Sequence, residues 1–162
     1  MENIELKINY AEVEHENELS VEEQNLLQKA RIACAMAYAP YSQFSVGAAL
    51  LLDNGVVVTG NNQENVAFPS GLCAERVAIF SAGANYPDAA IKTIAITCKS
   101  KQFLVDQPLS PCGACRQSMS EYEIRHHKNI RILLQGEQGK IRIINSIADL
   151  LPFMFKAEEL KK

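Results

Sequence analysis

The chain has 162 residues and a mass of 17.9 kDa, which fits one compact domain, and 48% hydrophobic against 22% charged residues is globular composition rather than that of a disordered chain. Sixteen Lys and Arg against 19 Asp and Glu leave a formal net charge of −3, so no global positive field draws in a nucleic acid. No apolar run approaches the roughly 20 residues of a membrane helix, and the acidic start over 1–19 resembles neither a signal nor a transit peptide, so a soluble, cytoplasmic protein is expected.

In chain order, Ile4, Leu6, Ile8 and Tyr10 alternate with polar residues, the period of a half-buried strand, and a glutamate-rich linker then runs to Leu19. Residues 1–19 therefore read as an extension ahead of the main domain. Ser20 and Glu23 have capping-box spacing, so a helix starts there. Its residues Leu26, Leu27, Ala30, Ala33, Cys34, Ala37 and Tyr38 share one face, and Pro40 ends it near Ala39. Strand formers over 45–52 and 56–59 flank Asp53, Asn54 and Gly55, which makes a β-hairpin. Residues 73–84 read as a helix stopped before Pro87, and 91–98 as a buried strand. Pro111 starts a second helix over 112–124. Short strands over 130–134 and 141–144, then the start of a last helix over 146–151, complete a main domain over 20–155, followed by a polar tail over 156–162. This order predicts a mixed sheet with helices packed on it.

Five cysteines without an export signal argue for reduced thiols rather than a disulfide framework. Cys112 and Cys115 form a Cys-x-x-Cys directly after Pro111, so their side chains share one face of a helix start and can grip one ion. The same spacing suits a redox pair or half of a structural zinc knuckle. Cys73-Ala74-Glu75 opens the other helix and supplies a third thiolate with a carboxylate two residues along. Three sulfurs leave the fourth corner of a zinc site open, as a catalytic site requires and a closed structural site does not. Cys34 and Cys98 lie on apolar elements and read as small buried hydrophobes, although either one as a fourth ligand would turn the site into a scaffold. Three thiolates outweigh the charge of Zn²⁺, and Arg76 is the candidate to donate hydrogen bonds to the sulfurs. His126 and His127 read as an exposed pair, not as a second metal site.

Cys73-Ala74-Glu75-Arg76 and Pro111-Cys112-Gly113-Ala114-Cys115-Arg116-Gln117, joined by the stretch 41–50, Asn62-Gln63-Glu64-Asn65 and Phe68-Pro69, resemble the small, three-cysteine class of cytidine deaminase. The likeness runs over roughly residues 20–155. It implies an α/β fold, a three-layer α/β/α sandwich with a mixed central sheet. The activity implied is zinc-dependent hydrolytic deamination of cytidine and 2′-deoxycytidine to uridine and 2′-deoxyuridine with release of ammonia, in pyrimidine salvage. One zinc ion per chain is implied on Cys73, Cys112 and Cys115, with water or hydroxide as fourth ligand. Glu75 is then the proton shuttle, from the water to ring nitrogen N3 and later to the departing amine.

For the substrate, the resemblance implies Asn62 and Glu64 at the ribose 3′-hydroxyl, Phe44 stacked on the pyrimidine, and the backbone N–H of Ala74 at the base carbonyl. Phe155, with Phe153 as the alternative, would reach an adjacent active site in a homotetramer whose sites are shared between chains. Phe68 stands where the family commonly has tyrosine, which removes a hydroxyl from the 5′ end of the nucleoside. The nearest rivals share the chemistry but act on a nucleoside antibiotic or on cytosine within nucleic acid. Asn62, Glu64, Arg76 and the acidic net charge favour the free nucleoside, with neither nucleic acid nor membrane as a partner.

Overall fold

The structure, a computed structural model, describes residues 1–157 and Leu160; of the tail expected over 156–162, residues 158–159 and 161–162 lie outside the described residues. The elements are β1 (Ala11–Val13), α1 (Val21–Ala35), β2 (Phe44–Leu52), β3 (Val57–Asn61), α2 (Ala74–Asn85), β4 (Ile91–Ser100), α3 (Gly113–His126), β5 (Arg131–Gln135) and β6 (Ile141–Ile144). They form one six-stranded sheet in the order β1-β6-β5-β4-β2-β3. The β4–β5 pair is parallel and the others are antiparallel, so the sheet is mixed.

Side-chain alternation along β2 builds the layers, because successive residues of a strand face opposite sides. Ala48, Leu50 and Leu52 join one core cluster with Ala74, Ala78 and Ile79 of α2 and Cys115 and Met119 of α3. Ala49 and Leu51 face the other way, into a cluster with Leu26, Leu27 and Ala30 of α1. The result is the expected α/β/α sandwich. Two glycines set how closely the layers approach. A Cβ on Gly47 would lie 2.0 Å from the Ala30 carbonyl oxygen of α1, and one on Gly60 would lie 2.5 Å from the Ala74 carbonyl oxygen and the Ala78 nitrogen of α2. Only glycine lets both helices sit this near the sheet.

Three expectations are corrected. The alternating residues Ile4 to Tyr10 form no strand; β1 lies after them at Ala11–Val13, opposite Ile141–Ile143 of β6. Alternation marks a face but provides no partner, and β6 is only four residues long. Helix α1 has the predicted capping box, with Ser20 Oγ accepting from the Glu23 N–H and Glu23 Oε2 from the Ser20 N–H, but it ends at Ala35 rather than near Ala39. Beyond it the Tyr38 N–H donates to the Asn62 carbonyl and the Glu64 N–H to the Tyr38 carbonyl, a bridge that no helix can make. The last helix is a single 3₁₀ turn, Ile147–Asp149, because Pro152 biases Leu151 out of helical geometry.

Candidate active site

Helices α2 and α3 begin side by side, and the metal-binding residue types sit at their starts. Cys73 is the N-cap of α2, Cys112 is the N-cap of α3, and Cys115 lies in the first turn of α3. The Sγ atoms of Cys73 and Cys112 are 3.8 Å apart and those of Cys112 and Cys115 are 3.4 Å apart, with all three within 4.8 Å of one another. Thiolates at about 2.3 Å from a tetrahedral zinc would stand roughly 3.8 Å apart, so the three sulfurs fit one ion. Among the described residues no further His, Cys, Asp or Glu joins the group. Cys34 and Cys98 lie elsewhere, buried, their thiols pushed up to about 11 and about 12 chiefly by desolvation, as expected of inert packing residues.

The chemistry of the donor set agrees with the spacing. A hydrogen bond from Cys115 leads the causes that draw the Cys73 thiol down to about 5 despite its burial, with Arg76 and Cys112 adding to the effect. The reciprocal bond and burial push Cys115 up. A thiol lowered in this way readily gives up its proton to a cation. Arg76 Nη2 donates to Cys73 Sγ at 3.8 Å, and Arg76 Nε is buried with no protein partner among the described residues, so the guanidinium stands ready for a negatively charged centre. Zinc, one ion per chain, is the metal that suits these ligands.

Glu75 is 4% exposed, the most conspicuous charged side chain in the core. Burial raises its carboxyl above the ordinary carboxylate range, the nearby Cys73 adds to the rise, and Cys115 lies within hydrogen-bonding reach. Ala74, fully buried, is the first residue of α2, so its N–H belongs to the first turn that a helix leaves without an internal acceptor.

A cleft of about 620 Å³ opens beside Cys73, lined by Asn62, Glu64, Phe68 and Arg76 among the predicted residues and by Tyr41, Ser42 and Leu72 as well. Gln63 pairs with Leu72 in both directions, at 2.9 and 3.0 Å, which holds the chain extended. Asn62 and Glu64, two residues apart, consequently share a side. Asn62 Oδ1 accepts from the Val46 N–H at 2.7 Å and Nδ2 donates to the Phe44 carbonyl at 2.9 Å, which leaves one N–H and one lone pair for other work. Glu64 accepts from the backbone N–H groups of Tyr41 and Ser42, and its carboxyl is lowered, chiefly by the Ser42 hydroxyl.

Three predicted substrate contacts do not line this cleft: Ala74, buried at the start of α2, Phe44 and Phe155. The ring of Phe44 packs on that of Phe103 at 6.1 Å, and Phe155 is 72% exposed on the surface of its own chain, with Phe153 at 91%. Phe68 meets Tyr41 edge-on at 5.8 Å. Ser42 and Leu72 were not singled out from sequence; their signal is weak, a polar residue after Pro40-Tyr41 and an apolar one beside the first ligand.

The sequence profile of the cytidine and deoxycytidylate deaminase zinc-binding region matches residues 20–129. A cytidine deaminase of Halalkalibacterium halodurans is 38% identical over 140 residues, 86% of this chain and 98% of that protein. One of Mycobacterium tuberculosis is 37% identical over 142 residues, 85% of this chain and 93% of that one. The crystal structure of cytidine deaminase from Burkholderia pseudomallei superposes with a TM-score of 0.71 at 38% identity, covering 85% of this chain and all of that one. Sulfur geometry, fold and matched region converge on one family, and this chain belongs to the cytidine and deoxycytidylate deaminases.

Proposed function

We propose that the chain hydrolyses the exocyclic amine of cytidine and 2′-deoxycytidine, giving uridine or 2′-deoxyuridine and ammonia, as a step of pyrimidine salvage in the cytoplasm. The observation that carries this reading is a group of three sulfurs with no fourth side-chain ligand among the described residues, next to a buried carboxylate. Zinc bound by Cys73, Cys112 and Cys115 supplies Lewis-acid activation of a water molecule. Glu75 moves the protons. Its carboxylate takes one from the attacking water and delivers it to N3 as the water oxygen bonds to C4; a second, taken from the new C4 hydroxyl, goes to the amine as the C4–N bond breaks and the C4 carbonyl forms. A group held above the usual carboxylate range suits a role that alternates between base and acid.

Binding falls to the other residues. The Ala74 N–H serves the base carbonyl, and the remaining N–H and lone pair of Asn62, with the Glu64 carboxylate, serve the 3′-hydroxyl. Phe44 offers its ring to the pyrimidine from the strand end that Asn62 anchors. Phe68 borders the ribose end without a hydroxyl to give, and Arg76 balances the charge of the thiolates. The active unit is a homotetramer, and the exposure of Phe155 supports its use by a neighbouring copy. The test is to incubate purified protein with cytidine, 2′-deoxycytidine, free cytosine and a cytosine-containing oligonucleotide, measuring ammonia and zinc. Release from the two nucleosides alone is expected; release from the oligonucleotide alone, or none with zinc bound, would overturn the reading.

A further inference from the structure

Arg116 and Gln117 follow the ligand Cys115 directly, and both direct their side chains to backbone groups. Arg116 Nε donates to the carbonyl of Pro111, the residue before Cys112, and Nη1 donates to the carbonyl of Leu150, each at 2.8 Å. Gln117 Nε2 donates to the Phe155 carbonyl at 2.9 Å while its Oε1 accepts from the Phe155 N–H at 3.1 Å. One side-chain amide thus satisfies both backbone groups of a single residue, as a neighbouring strand would. Leu150 and Met154 pack on the main core cluster between these two anchors, and the ring of Phe155 is left outside. The segment from Leu150 to Phe155 contains no helix or strand. The Leu150 and Leu151 N–H groups donate to the Ile147 carbonyl, and the side-chain anchors of the segment, Arg116 and Gln117, come from the start of α3, which also carries Cys112 and Cys115.

Such a segment opens easily unless something holds it. Metal binding fixes Cys112 relative to Cys115, and with them the direction in which the next two side chains leave the helix. We propose that Arg116 and Gln117 are positioning residues that latch the segment from Leu150 to Phe155 onto the metal-binding turn. Metal loading thereby sets the place from which Phe155 is presented to a neighbouring copy. The presentation rests on the functional reading above; the latch does not. Glutamine suits position 117 because it donates and accepts at once, whereas a glutamate there keeps the acceptor but turns a negative charge on the Phe155 carbonyl.

The test compares chymotrypsin cleavage after Phe153 and Phe155 in zinc-loaded and chelated protein, for the native chain and Gln117→Glu. Chelation should speed this cleavage about tenfold in the native protein, the size that losing two such hydrogen bonds gives in a local opening equilibrium. Gln117→Glu should keep its zinc, be cleaved at the fast rate with metal bound, and show no further effect of chelation. Its KM for cytidine should rise by about tenfold with kcat within about threefold, since the ring is displaced and the chemistry is not. Phe155→Ala, with the latch intact, should raise KM yet leave cleavage after Phe153 zinc-dependent. Equal rates with and without zinc, or a native rate in Gln117→Glu, would overturn the latch. Cleavage that begins instead at internal sites such as Tyr122 on chelation would also overturn it, because the metal would then hold the whole fold. The expected cleavage pattern in a protein that deaminates no nucleoside would support the latch and sink the functional reading alone.

Discussion

Glu75 carries the sharpest residue-scale expectation, because a carboxylate that is 4% exposed is costly to fold unless the site uses it. Glu75→Gln keeps the shape and removes the proton-carrying group, so zinc content and thermal midpoint should hold while kcat falls by about 10²–10⁴-fold. Turnover near the native rate would remove Glu75 from its role. The grouping of the three sulfurs beside Glu75 was legible in the sequence because these residue types are rare and their spacing is local to two helix starts. Asn62 and Phe44 were less so. The tie from the Asn62 amide to the Val46 and Phe44 backbone crosses 16 to 18 residues, and the Phe44–Phe103 contact joins the first residue of β2 to the loop after β4, which no local pattern pairs. Sequence assigns such residues a role; only the fold states which of their hydrogen bonds are already committed.

The elements make a different demand, since each must be held against the sheet at the right distance and capped at the right end. Gly47→Ala would drive a methyl into the Ala30 carbonyl of α1, 2.0 Å away, and should destabilise the chain by about 1–3 kcal/mol as an overpacked core does. Denaturant midpoints measure this, and an unchanged midpoint would mean that α1 shifts freely. At the start of α1, burial pushes the Glu23 carboxyl up, but hydrogen bonds from Arg131 and Ser20 outweigh it and its pKa lies below 4.5. A carboxyl lowered by folding adds stability above its unfolded pKa and loses it as pH falls through the folded one. Glu23→Gln should therefore lower the midpoint at pH 7, by about 1 kcal/mol for a lost cap and partly exposed ion pair. The gap from the native protein should close as the pH drops below 4.5; a gap constant with pH would assign the loss to packing. The capping box, hairpin turn and Pro111 start were readable because each is a local signal. The early end of α1 was not, because a bridge from Tyr38 to residues 62–64 decides it.

At the scale of the whole molecule, the sheet has one edge that the extension closes. Strand β1 covers β6, and its flanks fasten it: Glu12 pairs with Arg142 at 2.7 Å, Glu14 with Lys140 at 3.0 Å, Glu16 with Arg31 at 2.7 Å, and the Arg142 guanidinium lies 5.1 Å from the Tyr10 ring centre. These pairs are partly exposed and individually weak, but Val13 packs on the α1-side core and the strand satisfies backbone groups that β6 would otherwise show to water. The family match begins at residue 20, so the edge is closed by residues outside it. The sulfur group lies at the starts of α2 and α3, on the opposite face of the sheet from the α1-side core that Val13 joins. Deleting residues 1–18 should then leave zinc content and kcat near native while lowering the thermal midpoint by a few degrees, about 2–4 °C for each kcal/mol lost. The bared β6 edge should also make the shortened chain associate as concentration rises, measurable by light scattering. A midpoint and scattering profile identical to the native protein would mean that β1 only rests on the sheet; loss of zinc on deletion would mean that the extension reaches the site through the sheet itself.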